Sequence, residues 1–141
     1  MRALRPQRKH NSINDEQVIS EWRTVQEYNC AIIVDDEVVG LVQVVRQYGI
    51  SSHVGDVGCM IAEEATGHGI GTQAIRQIVT MAFNKGNFER LTAEIYSANK
   101  ASQRMVEKLG FRLEATLRQK VMKDNVFYDS LIYGLLPDEI L

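Results

Sequence analysis

The chain holds 141 residues, 45% of them hydrophobic, and its 16 Lys and Arg against 18 Asp and Glu leave a formal net charge of −2. That length suits one domain with its own core, the near-balanced charge excludes a nucleic-acid coat, and the text lacks both a membrane-length apolar run and a signal peptide, so the expectation is a cytoplasmic domain with neither nucleic acid nor membrane as partner. Cys30 and Cys59 lie in apolar, strand-like text and share no ligand spacing with His10, His53 or His68, which predicts buried reduced thiols and no metal site.

The basic start, with Arg2, Arg5, Arg8 and Lys9, reads as a solvated terminus. Asn14 followed by Gln17 has the form of a capping box, predicting a helix that carries Val18, Trp22 and Val25 on one face and ends near Tyr28. Cys30 to Val45 is rich in Ile and Val and is broken at Asp35-Asp36-Glu37, the pattern of a β-hairpin, with Gly40 marking a bulge. A strand at Asp56 to Ile61 leads into a glycine turn and a helix that carries Ala74, Ile75, Ile78, Val79 and Ala82 on one face, with Gly86 as its C′ residue. After a strand at Leu91 to Tyr96, Asn99 caps a second helix with Met105, Val106 and Leu109 inward and Gly110 at its end. Two strands, Phe111 to Val121 and Val126 to Leu136, turn at Lys123-Asp124-Asn125. This order predicts a single α/β domain over 1–141, a mixed sheet with helices on its faces, with 30–136 as the core and 1–29 as a shortened N-terminal region.

The glycine turn reads Thr66-Gly67-His68-Gly69-Ile70-Gly71-Thr72, with no acidic residue from Thr72 to Phe88. Glycines at a helix start bring backbone N–H groups close to a ligand, and the helix terminus adds partial positive charge, which together make a cradle for phosphate or pyrophosphate. An ordinary glycine-rich strand-to-helix turn is the competing reading. A dinucleotide fingerprint is excluded, because Glu63-Glu64-Ala65-Thr66 stand where a hydrophobic strand should run into the glycines, and a P-loop is excluded because Gly-Lys-Ser/Thr is absent.

Gly69-Ile70-Gly71 resembles the Gln/Arg-x-x-Gly-x-Gly/Ala signature of the GNAT superfamily of acyl-CoA-dependent N-acyltransferases, with Thr66 in place of Gln or Arg. Asn99-Lys100-Ala101-Ser102 followed by Leu109-Gly110-Phe111 is similar to the next motif of that superfamily. The stretch Glu114 to Arg118, Lys123-Asp124-Asn125, Tyr128-Asp129 and Tyr133 resembles its Rim-type branch of ribosomal-protein N-acetyltransferases. The resemblance implies a GNAT fold and acetyl-CoA as cosubstrate. By it, Gly67, His68, Gly69, Ile70, Gly71 and Thr72 hold the pyrophosphate, Met60 and Ile61 lie near the thioester, and Asn99 and Ser102 face the pantetheine and sulfur.

Acyl transfer from a thioester needs a neutral amine, donors for the oxyanion and a proton for the departing thiolate. The resemblance makes Glu94, five residues before Asn99, the base that deprotonates the amine, and makes Ser102 the proton donor to the thiolate. The Tyr that many members use for that proton is replaced by Val106, and the second Glu of some Rim-type members by Val121. From the residues alone, Glu94 also fits a solvated strand carboxylate, Ser102 and Asn99 fit helix-terminus roles, and Tyr128 and Tyr133 fit core packing. Cys59 reads as a buried thiol rather than an acyl-enzyme nucleophile. The implied activity is acetyl transfer to a primary amine, a protein N-terminus by the Rim-type resemblance. The rivals are a small-molecule (polyamine, antibiotic or amino-acid) N-acetyltransferase and an acyl-CoA-binding module with little turnover. A short N-terminus that leaves sheet uncovered predicts a homodimer, with Trp22 as the residue to watch.

Overall fold

The computed structural model describes residues 18–23 and 27–141, with residues 22, 23 and 27 described by backbone alone. Among the described residues, seven strands, β1 (Ile19–Arg23), β2 (Glu27–Val34), β3 (Glu37–Arg46), β4 (Val54–Ile61), β5 (Arg90–Tyr96), β6 (Arg112–Lys123) and β7 (Val126–Leu135), form one sheet in the order β1-β2-β3-β4-β5-β7-β6. Every pairing is antiparallel except β4 with β5, which bracket helix α1 (Ile70–Lys85). Helix α2 (Lys100–Lys108) follows β5. The expected mixed α/β sheet is therefore present, its one parallel step made by the β4-α1-β5 crossover.

Local chemistry accounts for most element boundaries. Asp35 and Asp36 both adopt positive φ (51° and 63°), as do Asp124 and Asn125 (53° and 63°), so both hairpins close on tight turns whose twist suits the flanking strands. Asn99 accepts a hydrogen bond from the Ser102 amide at 3.1 Å and caps α2. Gly86 ends α1, but the left-handed residue is Asn87 (φ 58°), not Gly86 (φ −92°). Gly86 is needed for space: a Cβ there would sit 2.8 Å from both the Tyr28 and Phe88 rings.

The helix expected from Asn14 to Tyr28 is corrected where the chain is described. Ile19–Arg23 is a strand, with Ile19 opposite Ile32 and Arg23 opposite Tyr28. Asn14, Gln17 and Val25 lie outside the described residues, as does the side chain of Trp22. Helical spacing of Val18, Trp22 and Val25 is a local signal, whereas the free edge of β2 offers a complete hydrogen-bond ladder and a core site for Ile19, which is 5% exposed. The Ile33 amide extends that ladder to the Val18 carbonyl, and the Val18 amide donates to Gln77 Oε1 on α1.

Both helices cover one face of the sheet. Val42, Val44, Leu91, Ala93 and Ile95 face them and pack with Ile75, Ile78, Val79, Val106 and Leu109. Burying such a side chain is worth about 1.5–3 kcal/mol, so this face carries most of the stabilisation. Between Ile32 and Ile33 the β2–β3 register shifts, so that Ile32 pairs Gly40 while Ile33 pairs Val38. The bulge falls at Val39-Gly40, as expected, and re-phases β3 so that Val39 as well as Val42 and Val44 is buried. The alternate residues, among them Leu41, Met60 and Glu94, are exposed on the other face.

Candidate active site

The sheet parts at its parallel step. Strand β4 runs to Ile61, yet it pairs with β5 only at Val54–Arg90, Gly55–Leu91 and Asp56–Thr92. Beyond Asp56 the edge of β4 that faces β5 has no strand beside it among the described residues, and Cys59 and Ile61 line a cavity of about 540 Å³ there. The remaining walls are the glycine turn and the first residues of both helices, including Gly67, Gly69, Gly71, Thr72, Asn99 and Ser102.

The turn keeps its backbone uncovered. Gly67 (φ 82°) and Gly69 (φ 74°) adopt the left-handed conformation, and nothing lies within 4 Å of where a Cβ would project from either. Glycine is required there by backbone conformation, and the space a side chain would fill is open to the cavity. Gly69 is the N-cap of α1 and supplies no side-chain acceptor, and the first turn holds no acidic residue. Helix geometry leaves the first-turn amides without intrahelical acceptors, so they point at the cavity mouth with the positive end of the helix dipole. Gly71 differs, because a Cβ there would lie 2.8 Å from Ile61 Cδ1 and from Met105 Sδ, and its absence lets α1 close on β4 and α2.

Not every expected residue lies in this cavity. Ile61, Gly67, Gly69, Ile70, Gly71, Thr72, Asn99 and Ser102 line it, whereas His68 does not and is exposed. Met60 presents its side chain, 69% exposed, on the opposite face. The Asn99 side chain is engaged as the helix cap, and the Thr66 hydroxyl donates to the Glu63 carbonyl at 2.7 Å. Arg104 and Lys108, spaced i, i+4 on α2, also line the cavity and bring two cations toward the glycine turn. Their spacing on a helix that starts beside that turn is the signal the sequence holds for them.

Glu94 is not in that cavity. It lies on the other face of β5, in a depression of about 360 Å³ with Tyr96, Val121, Lys123 and Ser130. Its Oε2 accepts from Lys120 Nζ and from Ser130 Oγ, each at 2.6 Å. These two bonds, Lys120's first, hold the carboxyl below the usual carboxylate range. Tyr128 stacks edge-on against Tyr96 at 5.5 Å on this side. Tyr133, by contrast, is core: it is 2% exposed, donates to Glu107 Oε2 at 2.8 Å, and is pushed up to about 12 by burial and that carboxylate. Burial raises the Cys59 thiol to about 11, which leaves it protonated near neutrality.

The sheet thus parts between two parallel strands, beside a glycine turn and a pair of cations, around one cavity. The family described as acetyltransferase (GNAT) domain matches residues 1–112, and the chain belongs to that family. A probable N-acetyltransferase of Bacillus subtilis, YjcK, is 29% identical over 117 residues, 81% of this chain and 65% of its own length. The putative ribosomal N-acetyltransferase YdaF of the same organism is 25% identical over 128 residues, covering 88% of this chain and 69% of that protein. This chain thus spans less than two thirds of YjcK. Among solved structures, Mycobacterium smegmatis RimJ in complex with CoA-disulfide aligns with a TM-score of 0.73 at 24% identity, over 81% of this chain and 55% of that one, a shared fold.

Proposed function

We propose that this domain transfers an acetyl group from acetyl-CoA to a primary amine, and that the amine is a protein N-terminus. The observation that carries the reading is the parting of β4 from β5, with the anion cradle on one side of the gap and a carboxylate on the other. In this reading acetyl-CoA supplies an activated acetyl thioester. The amides of Gly69, Ile70, Gly71 and Thr72 meet its pyrophosphate, and Arg104 and Lys108 balance its phosphate charge. The backbone of Met60 and Ile61 borders the gap, and Ser102 and Asn99 lie along its far wall. The name of YdaF and the Rim-type motifs support the choice of a protein α-amine.

Glu94 faces the side from which an acceptor can reach the gap without crossing the cradle. Its role is to accept the proton that the amine gives up as it attacks, directly or through water. Because Cys59 is a protonated thiol, direct attack in a ternary complex is favoured over an acyl-enzyme.

The test is acetyl transfer over an amine panel, with free and blocked peptide N-termini, a polyamine and amino acids, alongside acetyl-CoA hydrolysis. Glu94→Gln is expected to lower kcat about 10²-fold to 10⁴-fold with CoA affinity nearly unchanged. A loss below about threefold would return Glu94 to a solvated strand carboxylate. CoA binding without transfer to any amine would identify a binding module instead.

A further inference from the structure

The partner of Glu94 is delivered by a distortion of β6. Leu117 pairs with Ser130 and Val121 with Tyr128, so Arg118, Gln119 and Lys120 stand opposite Asp129 alone. Gln119 takes a positive φ of 54° at the apex. Its amide donates to Asp129 Oδ1 at 3.0 Å, while the Asp129 carbonyl accepts from the Ser97 amide at 2.8 Å at the end of β5. A non-glycine residue held left-handed by a specific side-chain bond is over-determined by its surroundings, and such bulges re-aim side chains. Here the re-aimed side chain is Lys120, whose ammonium reaches Glu94 Oε2. Ser130, 0% exposed, fixes the same oxygen from β7.

Lys120 is not alone. Lys123 lies over the Tyr96 ring at 5.6 Å, with Nζ 3.4 Å from the Tyr96 hydroxyl, and lines the same depression. The charged and titratable groups facing Glu94 are thus Lys120 and Lys123 from β6, Tyr128 from β7 and Tyr96 from its own strand. Further along this face Arg90 and Glu114 pair with each other. Lys123 lines the depression with Glu94, and Lys120 reaches that carboxylate from the adjoining one, which it shares with Arg118 and Asp129, so two ammonium groups flank the single carboxylate that lines the Glu94 depression.

We propose that Lys120 selects the acceptor: its ammonium, held on Glu94 by the β6 bulge, admits single α-amines of peptides and disfavours polyamines and lysine side chains. This rests on the reading of Glu94 as the acceptor-side base. A carboxylate already paired to Lys120 has little charge left to attract a cation, and its lowered pKa makes it a weak base. The acceptor must therefore bring its own neutral fraction. At pH 7.4 that is roughly a quarter for an α-amine but only about one part in 10³ for a lysine-like amine. A polyamine also carries further cations toward a depression that Lys123 lines and whose carboxylate Lys120 already pairs, an unfavourable like-charge contact that discriminates against the wrong ligand.

The test compares kcat/KM for a peptide with a free α-amine, the same peptide blocked at its N-terminus with one internal lysine, and spermidine. The enzymes are wild type, Lys120→Met and Lys120→Arg, over a pH series. The wild type is expected to prefer the free α-amine, with an acidic limb that follows the amine's own pKa. Lys120→Met should shift the α-amine to spermidine ratio toward spermidine by about tenfold or more, since one close charge is removed. Lys120→Arg should keep the preference, and carbon-13 NMR should show the Glu94 carboxyl pKa rising only in Lys120→Met. Because Lys120 is half exposed, the substitution leaves the core untouched. A wild-type preference for spermidine, or a ratio in an active Lys120→Met within about threefold of wild type, overturns this inference and leaves acetyl transfer standing. A wild type that binds CoA and acetylates none of the three overturns the proposed function and this inference together.

Discussion

Gly40 sits where the stability of the sheet and the geometry of the gap meet, and Gly40→Ala tests both. An added Cβ would collide with the Met60 carbonyl oxygen and lie 3.1 Å from Ile61 Cα and 3.2 Å from Ile32 Cδ1. Two of these three are backbone, so relief requires β4 to move away from β3 at the residues that border the cavity. Overpacking usually costs 1–3 kcal/mol, and a clash with backbone belongs in the upper part, about 2–3 kcal/mol. For 141 residues the unfolding entropy is about 0.3 kcal/mol/K, so Tm should fall by roughly 7–10 °C. Gly58→Ala, on the neighbouring strand β4, is the control. Its Cβ would meet only Gln43 side-chain atoms at 3.6 and 3.7 Å, ordinary contact, and Tm should barely change. Thermal melts followed by circular dichroism read the stability, and titration calorimetry reads CoA affinity, which should weaken in Gly40→Ala alone. A Tm within about 2 °C of wild type together with unchanged affinity would refute the reasoning, because it would mean β3 and β4 absorb a methyl group without moving.

Gly69→Asp adds a carboxylate at the helix N-terminus and a side chain in the open space of the cradle, so CoA binding should vanish in a protein that still melts cooperatively; unchanged affinity by calorimetry would remove the anion cradle from the account. With its thiol raised to about 11, Cys59 should be about one part in 10³ thiolate at pH 8, so Cys59→Ala should keep most activity and initial-rate plots should intersect. A kinetically competent acetyl adduct on Cys59 would show the opposite mechanism. Glu114 is held below the usual carboxylate range chiefly by its hydrogen bonds from Arg90, so the stability it contributes is complete above pH about 4.3 and is lost as pH falls through its lowered value. The pair is partly exposed and worth under about 1 kcal/mol, so wild type should melt slightly above Glu114→Gln at pH above about 5, and that margin should shrink as pH falls further; a difference that persists unchanged to pH 3 would exclude the linkage.

The features legible in the sequence are those whose cause is local. Asp35-Asp36 and Asp124-Asn125 are residues that tolerate left-handed backbone, Asn99 stands one position before a helix it can cap, and Gly67 and Gly69 stand where only such backbone leads into α1. Each is decided within a few residues, so the hairpins, helices α1 and α2 and the left-handed glycine turn follow from the text. What the text could not carry depends on partners far along the chain. Ile19–Arg23 is a strand because β2 has an edge to offer, which outweighs the helical spacing of Val18, Trp22 and Val25. Alternation along β5 placed Glu94 on the face opposite Ile95, but only the tertiary structure showed that this face is the one away from the cradle. The Lys120–Glu94 contact joins residues 26 apart, and it exists because a three-residue bulge, clamped by Asp129, turns one lysine toward a strand that β6 does not touch in the sheet order. Turn chemistry is written in adjacent residues; which charge meets which carboxylate is set by register, and register is a property of the assembled sheet.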